Sequence, residues 1–131
     1  MRFVDTSFWV ALRFRKDQRH AAARALWKAR PGPLVTSNLV VGETWTFLRR
    51  RAGHLAAGQF RDAIGSLQSL VVRTIDEDVE ADAWRWLKRH DERAYSFVDG
   101  TSFALMRRLR LREALAFDGD FAAAGFVEAR P

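Results

Sequence analysis

The stretch Arg2-Phe3-Val4-Asp5-Thr6-Ser7 decides the fold. Its apolar run is too short for a helix, and Thr6 and Ser7 are helix-capping residue types that follow it without a spacer. It reads as a short buried strand over residues 2–5 that runs directly into a helix at Thr6 or Ser7. The same alternation continues outward. Residues 18–29 form a helix with Ala22, Ala25, Leu26 and Trp27 on its apolar face. Arg30-Pro31-Gly32-Pro33 is a loop, because two prolines and a glycine stop a helix. Residues 34–36 form a strand, and Ser37 or Asn38 caps a helix through about Arg50. Gly53 breaks that helix, and residues 55–69 resume as another, anchored by Leu55, Phe60, Ile64 and Leu67. Residues 71–75 form a strand, Asp76 or Asp78 caps a helix through about His90, and Ser96 opens one through about Leu109. Strands close the pattern at 114–117 and 126–128.

Strands alternating with helices predict an α/β fold, with a central, mostly parallel sheet of about four to five short strands flanked by helices. At 131 residues the chain is one domain, residues 1–131, with 48% hydrophobic residues to fill a core. No apolar run reaches the roughly 20 residues that span a bilayer. Cysteine is absent, which removes disulfides, thiolate metal sites and a cysteine nucleophile. A cytoplasmic location is the expectation. The net charge is +6, and of 22 basic residues only Lys16, Lys28 and Lys88 are lysines. Arginine binds phosphate bidentately and stacks on bases, so such a surface suits nucleic acid, although biased codon usage would also enrich arginine.

Against this basic background, four acids stand in or beside apolar runs: Asp5, Glu43, Asp99 and Asp118. A carboxylate there is costly unless something positive pairs with it. Each also has a plainer reading. Asp5 could cap the first helix. Glu43, which falls on one helix face with Leu39, Thr46, Phe47 and Arg50, could be a surface glutamate. Asp99 fits a capping box with Ser96, and Asp118-Gly119-Asp120 could be a polar turn. Topology favours a shared site: Asp5 and Asp118 both end predicted strands, and ligands of open α/β sheets bind beyond the carboxyl ends of strands. His20, His54 and His90 have no metal-ligand spacing and read as surface residues. No phosphate-binding glycine motif and no nucleophile elbow is present. The five tryptophans read as core or interface, with Trp45 the candidate for stacking on a base. Carboxylates without His or Cys select a hard ion, Mg²⁺ or Mn²⁺, which lowers the pKa of water and neutralises phosphate.

The run Phe3-Val4-Asp5-Thr6-Ser7, the Glu43 helix, the segment from Tyr95 to Met106, and Ala116-Phe117-Asp118 together resemble the PIN-domain ribonucleases, most closely the VapC-type toxins of toxin–antitoxin modules. The segment Ser96 to Met106 and the ending Asp118 to Phe121 with Gly125-Phe126 are the most specific parts. The resemblance implies a metal-dependent endoribonuclease acting on RNA, with Asp5, Glu43, Asp99 and Asp118 as the catalytic quartet. It makes Asp5, Asp99 and Asp118 the ligands of Mg²⁺ or Mn²⁺, and Thr6 the small hydroxyl residue after the first acid. Asp120 is a supporting residue or only part of the turn. It further implies a homodimer and a cognate antitoxin packed on the helices at 38–51 and 55–69. A non-catalytic RNA-binding module on the same fold is the alternative. A phosphotransfer domain fits less well, because it needs a lysine at a strand end and the three lysines lie in helical, polar stretches.

Overall fold

Phe3 and Val4 are fully buried because their strand, β1 (Arg2–Val4), is the middle of a five-stranded sheet. The computed structural model describes every residue from Met1 to Pro131. β2 (Leu34–Ser37) and β4 (Glu113–Leu115) flank β1, and β3 (Leu70–Arg73) and β5 (Val127–Glu128) form the edges, in the order β3-β2-β1-β4-β5. All four pairings are parallel. Phe3 lies opposite both Val35 and Ala114, so the carboxyl ends of the three inner strands are level. The helices α1 (Thr6–Arg13), α2 (His20–Lys28), α3 (Asn38–Arg51), α4 (His54–Ser66), α5 (Glu77–Arg89), α6 (Phe97–Arg108) and α7 (Asp120–Ala123) complete the chain. Parallel strands covered on both faces read as continuous apolar runs, as Leu34-Val35 and Ala114-Leu115-Ala116 do.

The expected elements are all present, and the shifts at their ends have local causes. The first strand stops at Val4 because Asp5 is already the N-cap of α1. α2 begins at His20 rather than 18, since the Asp17 side chain accepts a hydrogen bond from the Arg19 N–H (2.8 Å) and holds a turn there. α4 ends at Ser66, and Leu67–Ser69 form a turn into β3. That strand starts one residue earlier than expected and ends at Arg73. Ile75 leaves the sheet and donates its N–H to the Asn38 side chain (2.9 Å). Ser37 is therefore the N-cap of α3, and Asp76, not Asp78, caps α5. β4 ends at Leu115 because the Phe117 N–H turns to the Ser7 hydroxyl (3.0 Å) instead of a neighbouring strand. α7 was not visible in the sequence, since four residues show no helical period.

α5 packs closely along α6, and Gly100, next to Asp99, permits the approach. A Cβ there would lie 2.7 Å from Leu87 Cδ1 and 2.8 Å from its Cγ. Replacing Gly100 with Ala gains helix propensity of about 1 kcal/mol but overpacks the contact by roughly 1–3 kcal/mol. We expect Gly100→Ala to lower the urea midpoint, and Leu87→Ala to be coupled to it in a double-mutant cycle. Additive effects of the two substitutions would refute this packing account.

Candidate active site

Asp5 is held by its own helix. Its Oδ2 accepts the Ser7 N–H (3.1 Å) and the Ser7 hydroxyl (2.7 Å), and the Ser7 oxygen in turn accepts the Phe117 N–H. One serine thus ties the end of β1 to the segment after β4. Asp99 sits in the first turn of α6, where its Oδ2 accepts the Ser96 N–H (2.9 Å) and its own N–H donates to the Ser96 hydroxyl (3.0 Å). The capping role leaves room for a ligand role, because capping occupies only one carboxylate oxygen. Asp5 is 2% exposed and Asp99 8%.

Asp118 is more open, and its Oδ1 accepts the Asp120 N–H (3.0 Å). Gly119 between them has φ +81°, a left-handed conformation that glycine adopts without strain. The turn is anchored by Glu128, whose side chain is only 4% exposed. Glu128 accepts the Gly119 N–H (3.3 Å) and the Ala122 N–H (3.1 Å), and pairs with Arg130 (3.0 Å). Sequence reasoning missed Glu128 and Ser7 as positioning residues. Ser7 was visible only as a possible cap, and the Glu128 contacts depend on the C-terminal strand folding back.

Asp5, Glu43, Asp99 and Asp118 all line one cleft of about 450 Å³, together with Thr6, Ser7, Asp17 and Arg19. It opens at the carboxyl edge of the sheet. One carboxylate oxygen from each of Asp99, Asp118 and Asp120 lies within 4.8 Å of the other two. That tight group takes in Asp120 and neither Asp5 nor Glu43. Asp120 also receives Arg93 Nε (2.8 Å), so part of its charge is already balanced. Glu43 is exposed on α3, while Val40, Val41, Thr44 and Leu48 of the same helix are buried. It faces the cleft without being buried in the apolar run, so no cation is needed to hold it there. Trp45, expected as a stacking residue, instead meets His54 edge-on and lines a separate hollow between α3 and α4. The aromatics at the acidic cleft are Phe47 and Phe117.

The electrostatics are those of a site awaiting positive charge. Burial, followed by repulsion from Asp118, pushes Asp5 up to about 8 despite the two Ser7 hydrogen bonds. Burial raises Asp99 to about 6, opposed by the Ser96 hydrogen bond and assisted by Asp118 and Asp120. Asp118 is raised as well, first by desolvation within the cleft and then by Asp120 and Glu128. Carboxylate oxygens alone, mutually repelling, fit a hard divalent cation. The Thr6 hydroxyl, buried in the same wall with no hydrogen-bond partner, fits a further oxygen ligand or a bound water.

The PIN-domain profile matches residues 2–127. The chain belongs to the PIN-domain family. Within that family it is 56% identical, over 133 aligned positions, to the 23S rRNA-specific endonuclease VapC20 of Mycobacterium tuberculosis, in strains CDC 1551 / Oshkosh and ATCC 25618 / H37Rv. The alignment covers 100% of this chain and 99% of that protein. The crystal structure of M. tuberculosis VapC20, described as a sarcin–ricin loop cleaving toxin, superposes with a TM-score of 0.95 at 54% identity over the whole of both chains. A toxin–antitoxin complex from Klebsiella pneumoniae shares the PIN fold, with a TM-score of 0.71 at 18% identity over 97% of this chain and 96% of that one. The resemblance to VapC-type toxins read from the sequence holds.

The raised carboxyls make the ion-free PIN domain acid-stabilised. Between the ordinary carboxylate value near 4 and the folded values, the native state keeps protons that the unfolded chain releases, so stability falls as pH rises through this window. The urea midpoint without divalent ions is expected to be lower at about pH 8 than at about pH 5. Asp5→Asn, which retains an N-cap oxygen, should flatten that slope. A slope unchanged in the variant would refute the assignment to Asp5.

Proposed function

We propose that this PIN domain is a Mg²⁺- or Mn²⁺-dependent endoribonuclease, and that it is the toxin of a toxin–antitoxin pair. The observation that supports this best is the convergence of Asp5, Glu43, Asp99 and Asp118 on one cleft at the carboxyl edge of the sheet, with Asp5 and Asp99 held under desolvation and mutual repulsion. Asp5, Asp99 and Asp118 would hold the ion, with Asp120 behind Asp118. The bound cation supplies charge neutralisation at the phosphate and a lowered pKa for water. Glu43, exposed on the facing helix, orients the attacking water and accepts its proton. Thr6 contributes its unpaired hydroxyl to the same wall. Water adds to phosphorus, the P–O3′ bond breaks, the leaving O3′ takes up a proton from solvent, and the products carry a 5′-phosphate and a 3′-hydroxyl.

The likeness to VapC20 extends the proposal to 23S rRNA as the substrate class. A cognate antitoxin, a homodimer, residues 1–131 as the single PIN domain and a cytoplasmic location belong to the same reading. No helix is long and apolar enough to cross a membrane.

Incubation of purified 23S rRNA with the protein and Mn²⁺ should give discrete fragments, and excess chelator should suppress them. Asp5→Asn should reduce cleavage to background while remaining folded, with a melting temperature at pH 8 at or above that of the wild type. Wild-type cleavage by Asp5→Asn would sink the proposal. RNA binding with no product at any Mn²⁺ concentration would favour the non-catalytic binding module instead.

A further inference from the structure

An acidic cleft repels the polyanion it has to receive, and only one cation, Arg19, lines it. Two aromatic rings also line it, Phe47 on α3 and Phe117 just past β4. Phe117 follows β4 and Phe47 lies on the helix that follows β2, strands on opposite sides of β1, and both rings line the cleft with Asp5. Each ring carries an arginine. The Arg19 guanidinium lies 6.0 Å from the centroid of Phe117, and that of Arg51 lies 5.3 Å from Phe47. Both arginines are exposed, and neither is in a salt bridge. Arg130 makes an instructive contrast. It too lies over Phe117, at 5.3 Å, but its donors are taken by Ala116 O, Ala129 O and Glu128.

A guanidinium lying on a ring is restrained in position, yet its in-plane N–H donors stay available. Those donors match phosphate oxygens in a planar, bidentate manner. The rings themselves are committed: Phe117 also stacks on Phe8 (5.8 Å, 23° between planes), and Phe47 meets Phe14 edge-on (6.1 Å). They serve better as supports for cations than as platforms for bases.

We propose that Arg19 and Arg51 form a two-sided clamp that grips backbone phosphates of the RNA strand on either flank of the acidic cleft, each guanidinium held in place by its phenylalanine. The clamp deepens the ribonuclease reading and rests on it. It supplies affinity and register along the strand and no choice of sequence, since phosphate contacts carry none.

The test measures binding without cleavage. In an Asp5→Asn background, binding of a fluorescein-labelled single-stranded RNA is followed by anisotropy across a salt series. Arg19→Ala and Arg51→Ala should each weaken binding several-fold at low salt and reduce the slope of log K against log salt by about 0.7. Phe117→Leu should weaken binding when Arg19 is present and add nothing to Arg19→Ala. Arg24→Ala, on the exposed side of α2, should leave affinity and slope unchanged. Melting temperature, and Mn²⁺ affinity by calorimetry with Asp5 restored, should be unaffected by Arg19→Ala and Arg51→Ala. Wild-type affinity and slope in these two variants would overturn the clamp, as would an equal loss in Arg24→Ala. No RNA binding at all would overturn the clamp and the ribonuclease reading together. Binding without any cleavage by the Asp5-containing protein would overturn only the latter.

Discussion

The buried carboxylate of Asp5 is the constraint around which the rest is arranged. It is placed by the middle strand of a parallel sheet, where neighbours on both sides exclude water. One of its oxygens caps α1 through Ser7, and Ser7 reaches across to the Phe117 amide. The same serine therefore sets the direction of the first helix, the end of β4 and the distance between Asp5 and the Asp118 turn. Those acids then repel one another within a desolvated cleft. A fold that places carboxylates in this way gives up stability locally, and a cation would restore it on binding.

The two halves of the cleft are held by different means. Asp5 and Asp99 are fixed by helix N-termini, which offer N–H donors to one oxygen and leave the other free. Asp118 stands on a turn with no long helix behind it. That turn is secured from outside by Glu128, which meets two backbone amides and Arg130. The C-terminal strand thus serves the site although it contributes no acid to it. Gly100 has a parallel role on the other side, letting α5 approach α6 closely enough to hold the Asp99 turn in place.

The basic surface and the acidic cleft meet at the aromatic rings. Phe47 and Phe117 line the acidic cleft, with the exposed Arg51 over the first and Arg19 over the second. Neither Arg19 nor Arg51 is in a salt bridge with the carboxylates of the cleft. The arginines accordingly remain available to an external anion.

Much of this was legible in the sequence. The apolar run Phe3-Val4 ending in Asp5, and Ala114-Leu115-Ala116 followed by Asp118, determined two strands and the edge at which their acids emerge, because parallel strands must be apolar throughout and their loops carry the polar groups. Ser96 and Asp99 determined a capped helix, because capping is local. The helix face shared by Leu39, Glu43, Thr46 and Phe47 was also legible, and the structure brings those four together on one wall. Tertiary structure alone decided that Glu43 is open to solvent, that Asp120 pairs with Arg93, that Trp45 faces away from the cleft, that Ser7 ties Asp5 to the Phe117 amide, and that Glu128 holds the Asp118 turn. Each of these depends on which distant segment comes to lie beside a residue. A strand or a cap is set by its own few residues, whereas a hydrogen bond between Phe117 and Ser7, 110 positions apart, exists only once the sheet has brought them together.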